Sequence, residues 1–269
     1  MRVLALDTTT RAGSVAIVHD DEVLFAAAGE SDRSHTVRLP LDIDRALHAA
    51  GLTLDAIDLF AVAPGPGSFT GLRTGIATVQ GMAMVTGKPV VAVSALEGLA
   101  ESARAALPPG ARIGAWMDGF RRDVFSALYE VPAAADADLI VIEDAIVEPP
   151  EHIWARWTSL TGAGPQFGIS GSDPKSGLSG SDPQFGSDPV LIGDGAVKYA
   201  HLVAGAARVV APGPIAAAIG RIGARRGRRG EGLPPSSILP LYVRRPDVEV
   251  TRERNQTRGG DLTPHSQKP

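Results

Sequence analysis

Apolar runs of strand length alternate with polar turns at the start of the chain. Residues 3–6, 14–18 and 22–27 are three such runs, and the short turns between them predict an antiparallel meander. Residues 34–50 then carry apolar side chains at the spacing of one helical face. Because proline fits best in the first turn of a helix, Pro40 predicts that this helix begins close to it.

Two strand–helix units follow the first helix. Residues 57–63 and 89–93 are predicted strands, and residues 74–86 and 94–106 are predicted helices. The last helix opens on Ser94-Ala95-Leu96-Glu97, the pattern of a capping box. The resulting order is βββαβαβα, which predicts an α/β fold.

The second half begins again with a strand that ends on aspartate. Residues 112–129 predict two strands around a tight turn, directly after the break at Pro108-Pro109-Gly110. We therefore expect two lobes of related build, residues 1–107 and residues 108–213. A helix over about residues 214–229 is expected to pack back on the first lobe.

Two segments differ in composition from the rest of the chain. Residues 162–189 repeat Gly-Ser-Asp-Pro and Pro-Gln-Phe-Gly, which predicts a low-complexity surface insertion within the second lobe. Residues 246–269 are polar and predict a loose tail.

The stretch from Pro64 to Arg73 is a glycine- and proline-rich loop between a predicted strand and a predicted helix. Such a loop lies at the carboxyl end of a strand, where open α/β sheets bind ligands. The alternative is an ordinary strand-to-helix turn, which also needs glycine and a capping residue, here Ser68 or Thr70.

The helix after this loop is apolar nearly all round. Leu72, Ile76 and Val79 lie on one stripe, and Gly71 and Gly75 lie on a small-residue stripe beside it. A helix of this kind is buried on more than one side, either by its own fold or by another chain. Because glycine costs up to about 1 kcal/mol relative to alanine in a helix, we expect a close helix–helix approach at the glycines.

Two short turns are candidates for holding a phosphate. One follows the first strand and the other precedes a helix in the second lobe; their residues are Asp7, Thr8 and Thr9 in the first and Gly193, Asp194 and Gly195 in the second. A carboxylate with hydroxyls can hold a phosphate or a metal-bound water, and a helix start can receive an anion. An Asx turn and an ordinary helix start are the structural alternatives. One turn in each lobe fits a nucleotide cleft between the lobes.

Composition excludes several kinds of chemistry. The 269 residues include no cysteine, so disulfides, thiolate metal sites and a cysteine nucleophile are excluded. No pair of histidines has the i, i+4 spacing of a metal site, and no Ser–His pair stands in a recognisable catalytic loop. We therefore predict neither a metal site nor a catalytic residue.

The net charge of −4 gives the chain as a whole no electrostatic attraction to nucleic acid. Ten arginines between residues 221 and 258 form a local basic excess, which suits either phosphate contacts or a solvated helix end. No apolar run reaches 18 residues, so we expect a cytoplasmic protein without a membrane segment.

Several stretches of the chain resemble the TsaB/YeaZ family. The Gly-Ser-Phe-Thr-Gly-Leu-Arg core at residues 67–73 is the most specific, and the similarity covers roughly residues 1–130 and 190–246. The stretches that carry it are residues 3–10, 14–16, 64–73, 193–196 and 240–244. The resemblance implies the two-lobed actin/Hsp70-like ATPase fold (ASKHA, ribonuclease H-like).

The resemblance also implies a function in making N6-threonylcarbamoyladenosine beside the tRNA anticodon. In that machinery catalysis belongs to a TsaD-like paralogue, with a TsaE-like ATPase as a further partner. ATP or ADP is expected at the complex, and no cofactor is firmly implied for this chain alone.

One comparison separates the two paralogues. The catalytic relative carries His-x-Glu-Gly-His, whose histidines hold a metal, whereas this chain has Ala95 and Leu99 at the corresponding places, and neither can ligate a metal. The turn at residues 118–125 departs from the family's Asp-Ala-Arg-x-x-Glu-Val-Tyr pattern by being bulky and basic. That departure argues against nucleotide hydrolysis by this chain alone.

We therefore expect a non-catalytic scaffold subunit with a partner face on its first two helices. The residues assigned to that face are Phe69, Gly71, Leu72, Arg73, Gly75, Ile76 and Val79. Without a partner the same face is expected to form a homodimer, and tRNA is reached through the complex. The alternative is a stand-alone ATPase or phosphotransferase of the same fold that uses Asp7.

Overall fold

The computed structural model describes residues 1–161 and 189–243, with backbone only for Leu160 and Thr161. The predicted insertion, apart from Pro189, and the predicted polar tail lie outside these residues. Within the described ranges, no helix combines the length and the apolar character needed to cross a bilayer.

Ten strands and six α-helices make up the described part of the chain. The strands are β1 (Arg2–Asp7), β2 (Ser14–His19), β3 (Glu22–Ala28), β4 (Leu59–Val62), β5 (Val90–Ala92), β6 (Arg112–Asp118), β7 (Val124–Glu130), β8 (Ile140–Glu148), β9 (Val190–Ile192) and β10 (Arg208–Val210). The helices are α1 (His35–Ala49), α2 (Phe69–Thr86), α3 (Ala95–Arg104), α4 (Pro150–Thr161), α5 (Asp194–Lys198) and α6 (Ala216–Arg228).

The strands form two sheets with the same topology. The first has the order β3-β2-β1-β4-β5 and the second the order β8-β7-β6-β9-β10. In each sheet the first three strands form an antiparallel meander, and the fourth lies parallel to the first. The α/β fold and the βββαβαβα order of the first half are thereby confirmed.

Helices α3 and α6 lie between the two sheets. Helix α6 packs on β1, β2 and β4, and α3 contacts both α6 and the strands β6 and β7. One hydrophobic core therefore contains side chains from both sheets and from α6, such as Val3 of β1, Ile113 of β6 and Ile219 of α6. The lobe boundary at residue 107 stays a prediction.

The predicted starts of α1 and α2 and the predicted capping of α3 need correction. Helix α1 begins at His35, so Pro40 lies inside it rather than in its first turn. Helix α2 begins already at Phe69, capped by Ser68. The capping box at the start of α3 does not form, because Ser94 makes no side-chain cap and Glu97 binds Arg226 instead.

Candidate functional site

The loop before α2 packs tightly against the turn after β1. The Ser68 N–H donates to the Thr9 carbonyl at 2.8 Å, and the Ser68 hydroxyl accepts from the Gly71 N–H at 3.4 Å. Gly67 has a φ of +155° and lies so close to Thr9 that a Cβ would come within 2.5 Å of the Thr9 oxygen. Glycine is required here by both conformation and space.

The glycines inside α2 face the same turn. A Cβ on Gly71 would overlap the Thr8 carbonyl oxygen, and one on Gly75 would overlap Thr8 Oγ1. The predicted helix–helix approach at these glycines is therefore wrong, because they make room for the backbone turn that follows β1.

Five of the seven residues predicted for the partner face are buried within the chain. These are Gly71, Leu72, Gly75, Ile76 and Val79, of which Ile76 and Val79 belong to the core between α2 and the first sheet. Only Phe69 and Arg73 reach the surface. The periodicity predicted correctly that α2 is apolar on two sides. The predicted partner face, however, is the side that the first sheet covers.

The surface of the first two helices carries a different apolar stripe, here called the exposed face. On α2 it consists of Phe69, Arg73, Ala77 and Met84, and on α1 it consists of Val37 and Leu41. The two helices contact each other. Large apolar side chains grouped in this way are unusual on a monomer surface and typically mark an interaction site.

A cavity of about 440 Å3 lies between the two lobes and contains residues from both candidate phosphate turns. Asp7 and Asp194 line it, together with Arg11 and several apolar residues such as Leu99 and Ile215. Thr8 and Thr9 instead contact the loop and helix that follow β4. Of the six residues predicted for nucleotide binding, the structure thus brings two carboxylates to the cavity; binding itself stays a prediction.

Asp7 is held inside the protein by its own turn. Its Oδ1 accepts the Thr9 N–H at 2.8 Å and the Thr9 hydroxyl at 2.6 Å. Burial raises the pKa of Asp7, and these hydrogen bonds oppose that rise only in part. The arrangement is the Asx turn that the sequence left as an alternative.

His35 and Arg38 connect this turn to α1. Arg38 is buried, forms an ion pair with Asp42 at 2.7 Å and donates to Nδ1 of His35 at 2.9 Å. The other ring nitrogen of His35 must then carry the proton that is donated to the Thr10 carbonyl. Burial lowers the pKa of His35, which keeps the ring neutral. His35 itself is half-buried.

The second candidate turn is closed to an anion by its own packing. A Cβ on Gly193 would overlap the Trp116 carbonyl oxygen, and one on Gly195 would come within 2.9 Å of the Met117 carbonyl carbon. The Asp194 carboxylate already accepts the Gly195 N–H at 2.9 Å and the Asp118 N–H at 3.0 Å. These glycines allow α5 to approach β6, so the ordinary helix start is the better description.

The motif at residues 95–99 lies in the core between the lobes. Ala95 is 0% exposed and Leu99 is 4% exposed, and both pack among apolar side chains. Glu97 accepts from Arg226 at 2.6 Å, and burial raises the pKa of Glu97. No cluster of potential metal ligands occurs among the residues of the described ranges.

Much of the arginine-rich helix end is neutralised by acidic neighbours. Asp138, in the loop between β7 and β8, accepts from Arg225 at 3.2 Å, from Arg226 at 3.1 Å and from Arg229 at 2.7 Å. Arg225 also pairs with Glu101 at 2.8 Å. Within the described residues these side chains suit a structural ion cluster better than a surface for phosphates; the arginines after residue 243 lie outside those residues.

Residues 233–242 form a segment that runs beside α2 and is here called the strap. Its position beside that helix was not predicted from the sequence. It starts beyond the end of α2, where Leu233 bridges to Val90. Gln80 then donates to the Pro235 and Ile238 carbonyls at 2.9 and 3.1 Å. The strap thus passes along α2 toward the beginning of that helix. Its sequence signals are residues 240–244, which carry part of the family resemblance, and Ile238, an apolar residue that the structure buries.

The strap ends at the start of α2 in a cluster of three side chains, here called the clamp. The Tyr242 ring stacks on Phe69 with a centroid distance of 5.3 Å, and the Tyr242 hydroxyl accepts from Arg73 Nε at 3.0 Å. The Arg73 Cζ lies 3.9 Å from the centroid of the Phe69 ring. The two exposed residues of the predicted face are therefore bound to the C-terminal part of the same chain.

Comparison with known proteins identifies relatives of this chain. A family model described as "TsaD: tRNA N6-adenosine threonylcarbamoyltransferase" matches residues 29–153. The "tRNA threonylcarbamoyladenosine biosynthesis protein TsaB" of Haemophilus influenzae is 40% identical over 103 residues, which are 38% of this chain and 43% of that protein. An uncharacterized protein of Mycobacterium bovis is 36% identical over 150 residues, 51% of this chain and 67% of that protein. This chain therefore matches less than half of the length of the Haemophilus influenzae TsaB protein.

The structure of YeaZ from Pseudomonas aeruginosa superposes over nearly the whole chain. The superposition covers 90% of this chain and 99% of the YeaZ chain, with a TM-score of 0.66 and 27% sequence identity. The chain belongs to the TsaB/YeaZ family. Its two five-stranded sheets of equal topology fit the two-lobed fold that the sequence resemblance implied.

This TsaB/YeaZ family member therefore has two candidate regions, the inter-lobe cavity and the exposed face. Asp7, Asp194 and Leu99 line the inter-lobe cavity, and Ala95 is packed in the core. The exposed face lies on α1 and α2, and the clamp joins it to the strap.

Proposed function

We propose that this chain is a non-catalytic scaffold subunit that supports threonylcarbamoyl transfer to adenosine in tRNA through a TsaD-like subunit. The observation that carries the proposal is the core packing of Ala95 and Leu99, where the catalytic paralogue has metal-binding histidines. Glu97 between them is bound to Arg226 and is not available to a substrate. The names of the TsaB relatives support the same pathway.

The exposed face supports the scaffold role. It offers apolar side chains on two neighbouring helices, which is the composition expected of a protein–protein contact. In this proposal the TsaD-like subunit binds there, a TsaE-like ATPase joins the complex, and tRNA is reached through the complex in the cytoplasm. The same face makes a homodimer when the partner is absent.

Reconstitution tests the proposed function. The purified chain, the TsaD-like and TsaE-like proteins of the same organism, tRNA and threonylcarbamoyl-adenylate are combined, and each is omitted in turn. We expect modified tRNA only when both this chain and the TsaD-like protein are present. Full modification without this chain would contradict the proposal.

A substitution on the exposed face links activity to binding. Ala77 is exposed in the middle of α2, so Ala77→Glu adds a charge to the face without disturbing the core. We expect this variant to fold normally, to lose binding to the TsaD-like protein and to lose tRNA modification. Gly75→Glu would not serve this purpose, because its side chain would collide with Thr8.

The alternative function is a stand-alone ATPase or phosphotransferase that uses Asp7. The cavity that Asp7 and Asp194 line is its only support in the described residues, and the two carboxylates would repel phosphate groups. ATP or ADP is therefore assigned to the complex. Turnover of ATP by the purified chain alone, lost in Asp7→Asn, would favour the alternative.

A further inference from the structure

The clamp has the composition of a binding hot spot. Phe69 is 44% exposed and Tyr242 is 38% exposed, so the stacked rings keep accessible apolar surface. Leu241 adds a further exposed apolar side chain beside them. Aromatic residues and arginine are the types that dominate binding energy at protein interfaces.

The clamp is also ordered before any partner arrives. The Leu241 N–H donates to the Pro64 carbonyl at 2.8 Å, which fixes the strap on the loop before α2. The hydrogen bond from Arg73 then fixes the Tyr242 hydroxyl. Side chains that are already immobilised lose little conformational entropy on binding, so their contacts contribute more affinity.

Arg73 gives the clamp a charge preference. Its Nε is used by Tyr242, and its two terminal nitrogens make no hydrogen bond to any residue of the described ranges. An exposed guanidinium with free terminal N–H groups pairs best with a carboxylate. The complementary surface is therefore an aliphatic side chain beside an acidic one.

We propose that the clamp is the energetic centre of the contact with the TsaD-like subunit. That subunit places a carboxylate on Arg73 and an aliphatic side chain against Phe69 and Tyr242. This inference rests on the proposed function and extends it, because the strap at the C-terminal side of the fold, and not the helices alone, makes the contact.

Affinity measurements with the purified TsaD-like protein test the proposal. Tyr242→Ala and Phe69→Ala are each expected to weaken binding by about 30-fold or more. Val141→Ala is the matched control, since Val141 is an exposed apolar side chain on β8 and lies outside the exposed face. It is expected to change affinity by less than about threefold. Thermal unfolding of each variant checks that α2 and the core stay folded.

Salt dependence separates a contact by Arg73 from a structural role. A carboxylate partner makes wild-type affinity fall as sodium chloride rises from about 0.05 to 0.5 M, because added ions screen the pair. Arg73→Gln is expected to bind more weakly at low salt and to show a shallower salt dependence. Parallel salt curves for the two proteins would overturn the assignment of the carboxylate.

The outcomes distinguish this inference from the proposed function. Binding that is lost in Ala77→Glu but unchanged in Tyr242→Ala overturns the inference and leaves the scaffold function in place. Loss of self-association in Tyr242→Ala, with unchanged binding of the TsaD-like protein, also overturns it, because the clamp would then serve a second copy. Absence of any binding by the unchanged chain overturns both.

Discussion

Single glycines serve two different purposes on helix α2. Gly75 is buried against Thr8, so hydrogen is the only side chain that fits between the helix and the turn after β1. Gly81 is exposed, and a Cβ there would meet nothing within 4 Å. The sequence alone shows both residues as the same helix-weakening type.

Replacing each glycine with alanine is therefore expected to change stability in opposite directions. Gly75→Ala forces a methyl group against Thr8 Oγ1 and should lower the free energy of unfolding by about 1–3 kcal/mol, the usual cost of overpacking. Gly81→Ala improves helix propensity in open space and should raise it by about 0.4–1 kcal/mol. Denaturant unfolding measures both, and equal effects would contradict the contact with Thr8.

At the scale of elements, α2 is enclosed on several sides and open on one. The first sheet covers its Ile76 and Val79 side, and the strap runs along its length from Gln80 to Arg73. What remains open is the exposed face. The strap therefore sets one border of the surface that we assign to the partner.

Gln80 is expected to hold the middle of the strap. Its side-chain amide donates to the Pro235 and Ile238 carbonyls, so Gln80→Ala removes two hydrogen bonds and should lower the free energy of unfolding by about 1–2 kcal/mol. Amide hydrogen exchange should quicken at Leu241, whose N–H is bonded to Pro64.

Thr78→Ala is the control for Gln80→Ala. The Thr78 hydroxyl donates only within α2, to the Thr74 carbonyl. This variant should leave exchange in the strap unchanged. Slow exchange at Leu241 in both variants would mean that Gln80 does not hold the strap.

Hydrophobic periodicity was sufficient for elements that bury a regular face. The predicted strands at residues 14–18 and 22–27 match β2 and β3 to within one residue at each end. It failed for the strap, because that segment is held by the Gln80 side chain and by single backbone contacts rather than by a repeating pattern. It also failed to choose between the two apolar sides of α2, since burial depends on residues distant in the chain.

The sequence predicted only those parts of the candidate site whose residues are close together in the chain. The paired positions Asp7 and Asp194 were found from their turns, and both line the inter-lobe cavity. The link between Phe69, Arg73 and Tyr242 joins residues 169 positions apart. No local signal near residue 69 indicates that contact.

At the scale of the whole molecule, charge as well as apolar packing joins the lobes. Asp138 belongs to the loop between β7 and β8 of the second sheet, whereas Arg225 and Arg226 lie on α6 against the first sheet. Arg104 of α3 also donates to the carbonyls of Ala134 and Ala137 in that loop. These polar contacts add to the hydrophobic core that the two sheets share.

Asp138→Asn is expected to show how much this junction contributes and at which pH. Burial acts to raise the pKa of Asp138, but the hydrogen bonds from Arg229 and Arg226, with that from Arg225, outweigh it and lower the pKa below its ordinary value of 3.8. A carboxyl whose pKa is lowered on folding adds stability that is present above the unfolded-state value and is lost as the pH falls through the folded-state value.

Wild type should therefore exceed Asp138→Asn in unfolding free energy by about 1–3 kcal/mol between pH 5 and pH 8. The difference should shrink as the pH falls below 3.8. Asp136→Asn is the control, because Asp136 is exposed in the same loop, and it should leave stability nearly unchanged. Denaturant unfolding at stepped pH measures all three proteins. A difference between wild type and Asp138→Asn that stays constant down to pH 3 would show that the Asp138 carboxylate is not what joins the lobes.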